Sequence, residues 1–156
     1  MATQSSTAAR VLLVEDDPTV RGLLIRLMQS YGLEIASAEN GNQAMQLFEQ
    51  ETYDLLLTDL YMPEMNGWEL IRTIRERDPK LPIIALSAYA TPEQLGDLES
   101  CHARLFSKPL NFRVLHAYID ELLRAGSKAA GGKGKATADK TGGGLSSQHA
   151  RGVARL

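Results

Sequence analysis

The chain has 156 residues, 44% of them hydrophobic and 23% charged, with a formal net charge of -2, which suits one domain with a real core plus an appendage and argues against several domains. The charge is unevenly spread: eleven Lys or Arg and eighteen Asp or Glu precede Ser127, whereas six basic residues and one acidic residue follow from there on, so the body has no nucleic-acid footprint. One cysteine, Cys101, excludes an internal disulfide, and no stretch approaches the roughly 18–20 apolar residues that span a bilayer. Residues 1–10 lack the apolar core of a secretory signal, so the expected location is cytoplasmic, without membrane contact.

Strand-like and helix-like patterns alternate along the body, as expected of βαβ units and a parallel sheet. Val11–Glu15 suits a buried strand. Asp17 can cap the helix that follows, Pro18 fits its first turn, and Val20, Leu23, Leu24, Leu27 and Met28 form an apolar stripe that ends near Gly32. Leu33–Ser37 reads as a peripheral strand, and Asn40-Gly41 opens a helix carrying Ala44, Leu47 and Phe48. Asp54–Thr58 is the most continuous apolar run and the candidate central strand. Residues 61–67, with Pro63 and Gly67, form a loop, and Trp68, Leu70, Ile71 and Ile74 mark a third helix.

Pro82–Leu86 is the fourth strand and opens into a loop at Ser87-Ala88-Tyr89. Thr91-Pro92-Glu93-Gln94 reads as a capping box, but the helix it starts contains Gly96 and few apolar residues, so a short, mobile helix is expected. Ala103–Ser107 is the fifth strand. Asn111 caps a last helix with Leu115, Tyr118, Ile119, Leu122 and Leu123 on one face. Five βα units with right-handed crossovers predict a flavodoxin-like, doubly wound α/β sheet in strand order 2-1-3-4-5, with helices on both faces. Residues 10–125 form this domain. Residues 1–9 are expected to be disordered, as is the Gly- and Lys-rich basic tail 126–156, which holds too little apolar surface to offset its ordering entropy.

In such a sheet, chemistry collects outside the carboxyl ends of the strands. Glu15 and Asp16 after the first strand, Asp59 after the third and Lys108 after the fifth would therefore meet in one crevice. Three close carboxylates repel, which invites raised pKa values or a bound cation. Oxygen ligands without His or Cys favour Mg²⁺, for which Mn²⁺ can substitute, and argue against zinc. Lys108 offers a point charge for a phosphoryl oxygen and Ser87 a hydroxyl for the same group. This ensemble suits phosphoryl transfer to Asp59, which needs in-line positioning and neutralisation of the equatorial oxygens more than covalent help.

At these residues the chain strongly resembles the response-regulator receiver domain of two-component signalling. The resemblance covers about Arg10 to Arg124 and rests on the acidic pair, the Asp-x-x-Met-Pro-x-Met-x-Gly stretch Asp59–Gly67, the Ser87-Ala88 pair and Lys108-Pro109. It implies that Asp59 takes a phosphoryl group from the phosphohistidine of a sensor histidine kinase or histidine phosphotransfer protein, with Mg²⁺. It also implies Asp16 as direct metal ligand, Glu15 acting through water, Tyr61 lending its backbone carbonyl, and a cis Lys108-Pro109 peptide. Such a protein catalyses only its own phosphorylation and dephosphorylation, and signals to a downstream protein.

Receivers usually carry Tyr or Phe three residues before the lysine. Here that position is Leu105, with Phe106 one place later and expected on the opposite face of the strand, which puts aromatic switching in doubt. Tyr61 and Tyr89 flank the expected path of an attacking water, so slow self-dephosphorylation is expected. Trp68 and the loop methionines read as packing groups, Cys101 and His102 as incidental, and His149 has no partner suggesting phosphotransfer. The tail has no helix-turn-helix pattern, and no DNA-binding domain is expected. The alternatives are a scaffold that binds irrespective of phosphate, a receiver cut from a larger regulator or hybrid kinase, and a haloacid-dehalogenase-like phosphatase. The last lacks the general acid two places after the nucleophile, where Tyr61 stands.

Overall fold

The computed structural model describes residues 8–131. Expectations for the N-terminal seven residues and for the tail from residue 132, His149 included, lie outside them. Ten elements alternate strictly: β1 (Arg10–Val14), α1 (Pro18–Ser30), β2 (Glu34–Ala38), α2 (Gly41–Gln50), β3 (Leu55–Asp59), α3 (Gly67–Arg77), β4 (Ile83–Ser87), α4 (Pro92–Ser100), β5 (Ala103–Ser107) and α5 (Phe112–Gly131). All pairings are parallel, in the order β2-β1-β3-β4-β5. This is the expected doubly wound sheet.

The central strands are apolar on both faces, which is why they read as continuous runs and not as alternating ones. Leu12, Val14, Leu56, Ile83 and Ala85 pack with α2, α3 and α4 through Ala44, Leu70, Ile71, Ile74 and Leu98. Val11, Leu13, Leu55, Leu57, Ile84 and Leu86 pack with α1 and α5 through Leu24, Met28, Leu115 and Ile119. Each such leucine or isoleucine contributes about 1.5–3 kcal/mol on full burial. An exposed ion pair such as Arg77–Glu49 contributes about 0–1 kcal/mol, so these two apolar layers hold the domain.

The caps at Asp17, Asn40, Thr91 and Asn111 fall where the sequence places them, and Asn66, read only as part of a loop, is a further one. Asp17 accepts from the Thr19 and Val20 amides, Asn40 from Gln43, Asn66 from Glu69, and Asn111 from Val114. Thr91 and Gln94 form a complete capping box. Two expectations are corrected. Leu23 is not on the buried stripe of α1 but 52% exposed, because the face against the sheet is centred on Leu24 and Met28, one turn apart, with Val20 and Ile25 beside them. The tail expected to be disordered from residue 126 begins later, since the last helix runs to Gly131 through Lys128, Ala129 and Ala130, which are good helix formers. At the other end, the Ala9 carbonyl already accepts the Glu34 amide.

The loop after β3 turns back tightly on the strand. The Gly67 amide donates to the Leu60 carbonyl at 3.0 Å, and a Cβ on Gly67 would lie 2.1 Å from the Asp59 carbonyl oxygen and 2.7 Å from Leu60 Cα. Only glycine leaves the backbone at Asp59 in place. Gly67→Ala is expected to cost at least the roughly 1–3 kcal/mol of an overpacked site, read as a lower urea midpoint at unchanged slope; a midpoint equal to wild type would mean that the loop yields freely.

Candidate functional site

The parallel sheet brings its carboxyl ends to one edge. Glu15 follows β1, Asp59 closes β3, Ser87 closes β4 and Lys108 follows β5. The strand order reverses between β1 and β3, where a doubly wound sheet opens a crevice. Glu15, Asp16 and Asp59 each place a carboxylate oxygen within 4.8 Å of the others. Glu15 is 1% exposed and Asp59 6%, whereas Asp16 faces solvent and forms the open side of the cluster.

Lys108 reaches across the end of β4 from two strands away. Its Nζ lies 3.0 Å from Asp59 Oδ2 and 3.2 Å from Glu15 Oε2, and its backbone amide donates to the Ser87 carbonyl at 2.9 Å. The Lys108–Pro109 peptide is cis. Burial and the neighbouring Asp59 charge push the Glu15 carboxyl up to about 7, against a weaker opposing pull from Lys108. Burial tends to lower Lys108, but the hydrogen bonds and charges of Asp59 and Glu15 outweigh it and hold the ammonium above its ordinary value.

The donor set fits a hard divalent cation. It consists of oxygens alone, it holds more negative charge than the one lysine facing it offsets, and one carboxylate is open to solvent. Asp16 and Asp59 can bind the cation directly and Glu15 directly or through water.

Ser87 is buried at the mouth of β4, but its hydroxyl is engaged in a local turn: it donates to the Tyr89 carbonyl at 2.6 Å and accepts the Tyr89 amide at 3.1 Å. Tyr61 donates its amide to Asp59 Oδ1 at 3.3 Å. Tyr61 is 50% exposed and Tyr89 69%. Leu105 packs toward α3 and α4. Phe106 turns to the other face, its ring centroid 5.4 Å from that of Tyr118 on α5, with Arg104 Cζ 4.2 Å above the Tyr118 ring. Thus β5 offers no aromatic ring to the Ser87 side of the sheet.

Sequence reasoning missed Arg21. From α1 it donates to the Glu15 carbonyl at 2.9 Å and, more weakly, to that of Asp16 at 3.5 Å, while its other nitrogen meets Glu39 at 3.4 Å. One guanidinium thus holds the backbone that aims both acidic side chains and adds positive charge behind them. The available signal was a basic residue one helical turn after the Asp17 cap, on the side of the acidic loop. Thr58, buried with its hydroxyl on the Asp59 carbonyl at 2.9 Å, was also missed. Cys101 and His102 serve through their carbonyls, which accept from Arg75 at 2.7 and 3.4 Å.

A doubly wound sheet with an acidic cluster and a single lysine at its switch point defines a class of proteins that carry chemistry on a strand-end aspartate. Comparison with known proteins narrows the class: residues 11–120 match the response regulator receiver domain, and the chain belongs to that family. It is 36% identical over 117 residues to the response regulator receiver protein CpdR of Brucella abortus, covering 74% of this chain and 98% of CpdR. It is 38% identical over 113 residues to the sensor protein EvgS of Escherichia coli K12, covering 72% of this chain but 9% of EvgS. Among solved structures, the response regulator TrrA of Thermotoga maritima, in complex with Mg²⁺-BeF, superposes with a TM-score of 0.66 at 36% identity, over 73% of this chain and 98% of that one.

Two outcomes follow from the geometry. The folded protein keeps the Glu15 proton up to about pH 7, whereas a carboxyl at its ordinary value loses it near 4.5. The stabilisation from this proton is therefore fully present below pH 4.5 and is lost as pH rises through 7. Denaturation midpoints of metal-free protein in chelator should fall across that window, and Glu15→Gln should flatten the fall; an equal slope in the variant would assign it elsewhere. Arg21→Gln should weaken Mg²⁺ binding by about three- to tenfold in calorimetric titration, a net loss of about one ordinary hydrogen bond after the relief of removing a positive charge near the cation; unchanged or tighter binding would mean that Arg21 acts only as a repelling charge.

Proposed function

We propose that Asp59 is the phosphoacceptor of a stand-alone receiver, which takes its phosphoryl group from the phosphohistidine of a sensor histidine kinase or histidine phosphotransfer protein and then changes its contacts with a downstream protein. The observation that carries the reading is the Lys108 ammonium seated between Asp59 Oδ2 and Glu15 Oε2 in a three-carboxylate cluster. An Asp59 carboxylate oxygen forms the new P–O bond as the donor's P–N bond breaks, the electron pair leaving on the imidazole nitrogen. Mg²⁺, when bound at Asp16, Asp59 and the Tyr61 carbonyl, supplies neutralisation of the phosphoryl oxygens. Lys108 exchanges part of its pairing with Asp59 for a phosphoryl oxygen, and Ser87 turns its hydroxyl from Tyr89 toward the same group. Gly67 and Thr58 hold the Asp59 backbone while the side chain reacts.

Likeness to CpdR over nearly its whole length supports a unit that acts without an attached output domain. Likeness to a small part of EvgS supports a second reading, the same unit within a longer sensor protein. In either setting our reading has the reaction run in the cytoplasm, in a signalling domain whose chemistry acts on itself and not on a released substrate.

Intact-protein mass after incubation with acetyl phosphate tests the reading. A Mg²⁺-dependent gain of one phosphoryl group is expected, absent in Asp59→Asn and strongly reduced in Lys108→Ala. No gain at saturating donor and Mg²⁺ would instead favour a phosphate-independent scaffold. Once phosphorylated, Tyr61→Ala should hydrolyse faster than wild type and Tyr89→Ala less so; a Tyr61→Ala rate at or below wild type would remove the shielding argument.

A further inference from the structure

The Gln94 side chain, read from sequence as half of a capping box, has a second task. Its Oε1 accepts the Thr91 amide at 2.9 Å, completing the cap of α4, while its Nε2 donates to the Tyr61 hydroxyl at 3.1 Å. The other end of Tyr61 is its amide, 3.3 Å from Asp59 Oδ1. One residue therefore runs from the reactive carboxylate to the first turn of α4, bridging the loops that follow two adjacent strands, β3 and β4. Helix α4 has little else to hold it, for Leu98 is its one buried residue. A hydrogen bond at its N-terminus thus weighs heavily against its few core contacts.

We propose that Gln94 is a positioning residue for the phosphoacceptor site: through Tyr61 it ties α4 to the Asp59 loop and holds the Tyr61 ring across the α4 side of the crevice. Closure of that side slows hydrolysis of the acyl phosphate, in which a water oxygen bonds to phosphorus, the bond from phosphorus to the Asp59 oxygen breaks to leave the carboxylate, and phosphate departs with the water oxygen and its two protons, one of which it releases to solvent. The same tie couples the α4 cap to whatever occupies Asp59, since a group added there displaces the Tyr61 amide. The lifetime argument rests on the phosphoacceptor reading; the tie to α4 does not.

Two measurements separate them. In unphosphorylated protein, hydrogen exchange at the Leu95–Leu98 amides should quicken about threefold in Tyr61→Phe, which removes one hydroxyl outside α4 and leaves the ring in place. Unchanged exchange would overturn the tie, whatever Asp59 does. In phosphorylated protein, Tyr61→Phe and Gln94→Ala should each speed loss of the phosphoryl group about threefold, and the double variant no more than either single one. Equal acceleration by Gln94→Ala in the wild-type and Tyr61→Phe backgrounds would assign Gln94 to the cap alone and overturn its positioning role. If wild-type protein takes up no phosphoryl group, the phosphoacceptor reading fails and the exchange measurement still decides the tie.

Discussion

Two carboxylates out of water, side by side, are the constraint on which the site depends. Glu15 and Asp59 are nearly inaccessible, and burial together with the neighbouring Asp59 charge disfavours the charged form of Glu15. Lys108 offsets part of this by standing between them, from a strand that touches neither β1 nor β3. Arginine would suit the place poorly, because its planar fork favours one bidentate partner, whereas an ammonium on a flexible stem can serve two carboxylates and release one. The imbalance that remains makes the cluster receptive to a divalent cation, so the tension in the resting protein and the chemistry it supports have one origin.

The sheet converts sequence order into that proximity. Because every strand is parallel, each βα loop lies on one edge, and residues 93 positions apart, Glu15 and Lys108, touch without any long loop. The cost is three central strands buried on both faces, met by the continuous aliphatic runs of β1, β3 and β4. Surface charge contributes little to holding this arrangement and is free to serve recognition.

Much of this was legible because its signals are local. The five strands fall within a residue of their expected bounds, since a run such as Leu55-Leu56-Leu57 between polar turns has few other uses in a chain of this size. Caps at Asp17, Asn40, Thr91 and Asn111 were readable because the side chain bonds its own helix. Where the sequence misled, an element met a neighbour the local pattern could not name. Leu23 has the spacing of the α1 stripe but lies to one side of the line set by the sheet. Arg21 and Gln94 look like a surface arginine and a cap residue until the loops they bridge are placed beside them. The direction of the Ser87 hydroxyl depends on the Tyr89 backbone, which no periodicity reveals.

That direction sets how decisive a signal from the serine alone can be. Leaving the turn, Ser87 gives up one donated and one accepted hydrogen bond, each of a kind that contributes about 0.5–1.5 kcal/mol net, and gains one to an ionised oxygen at roughly 1.5–3 kcal/mol. The surplus is about 2 kcal/mol at best, whereas carrying a two-state equilibrium from 1:99 to 99:1 takes about 5.5 kcal/mol. A phosphoryl group acting through Ser87 alone would therefore tilt a mixture of conformers and leave both well populated, giving a dimmer in place of an on–off relay.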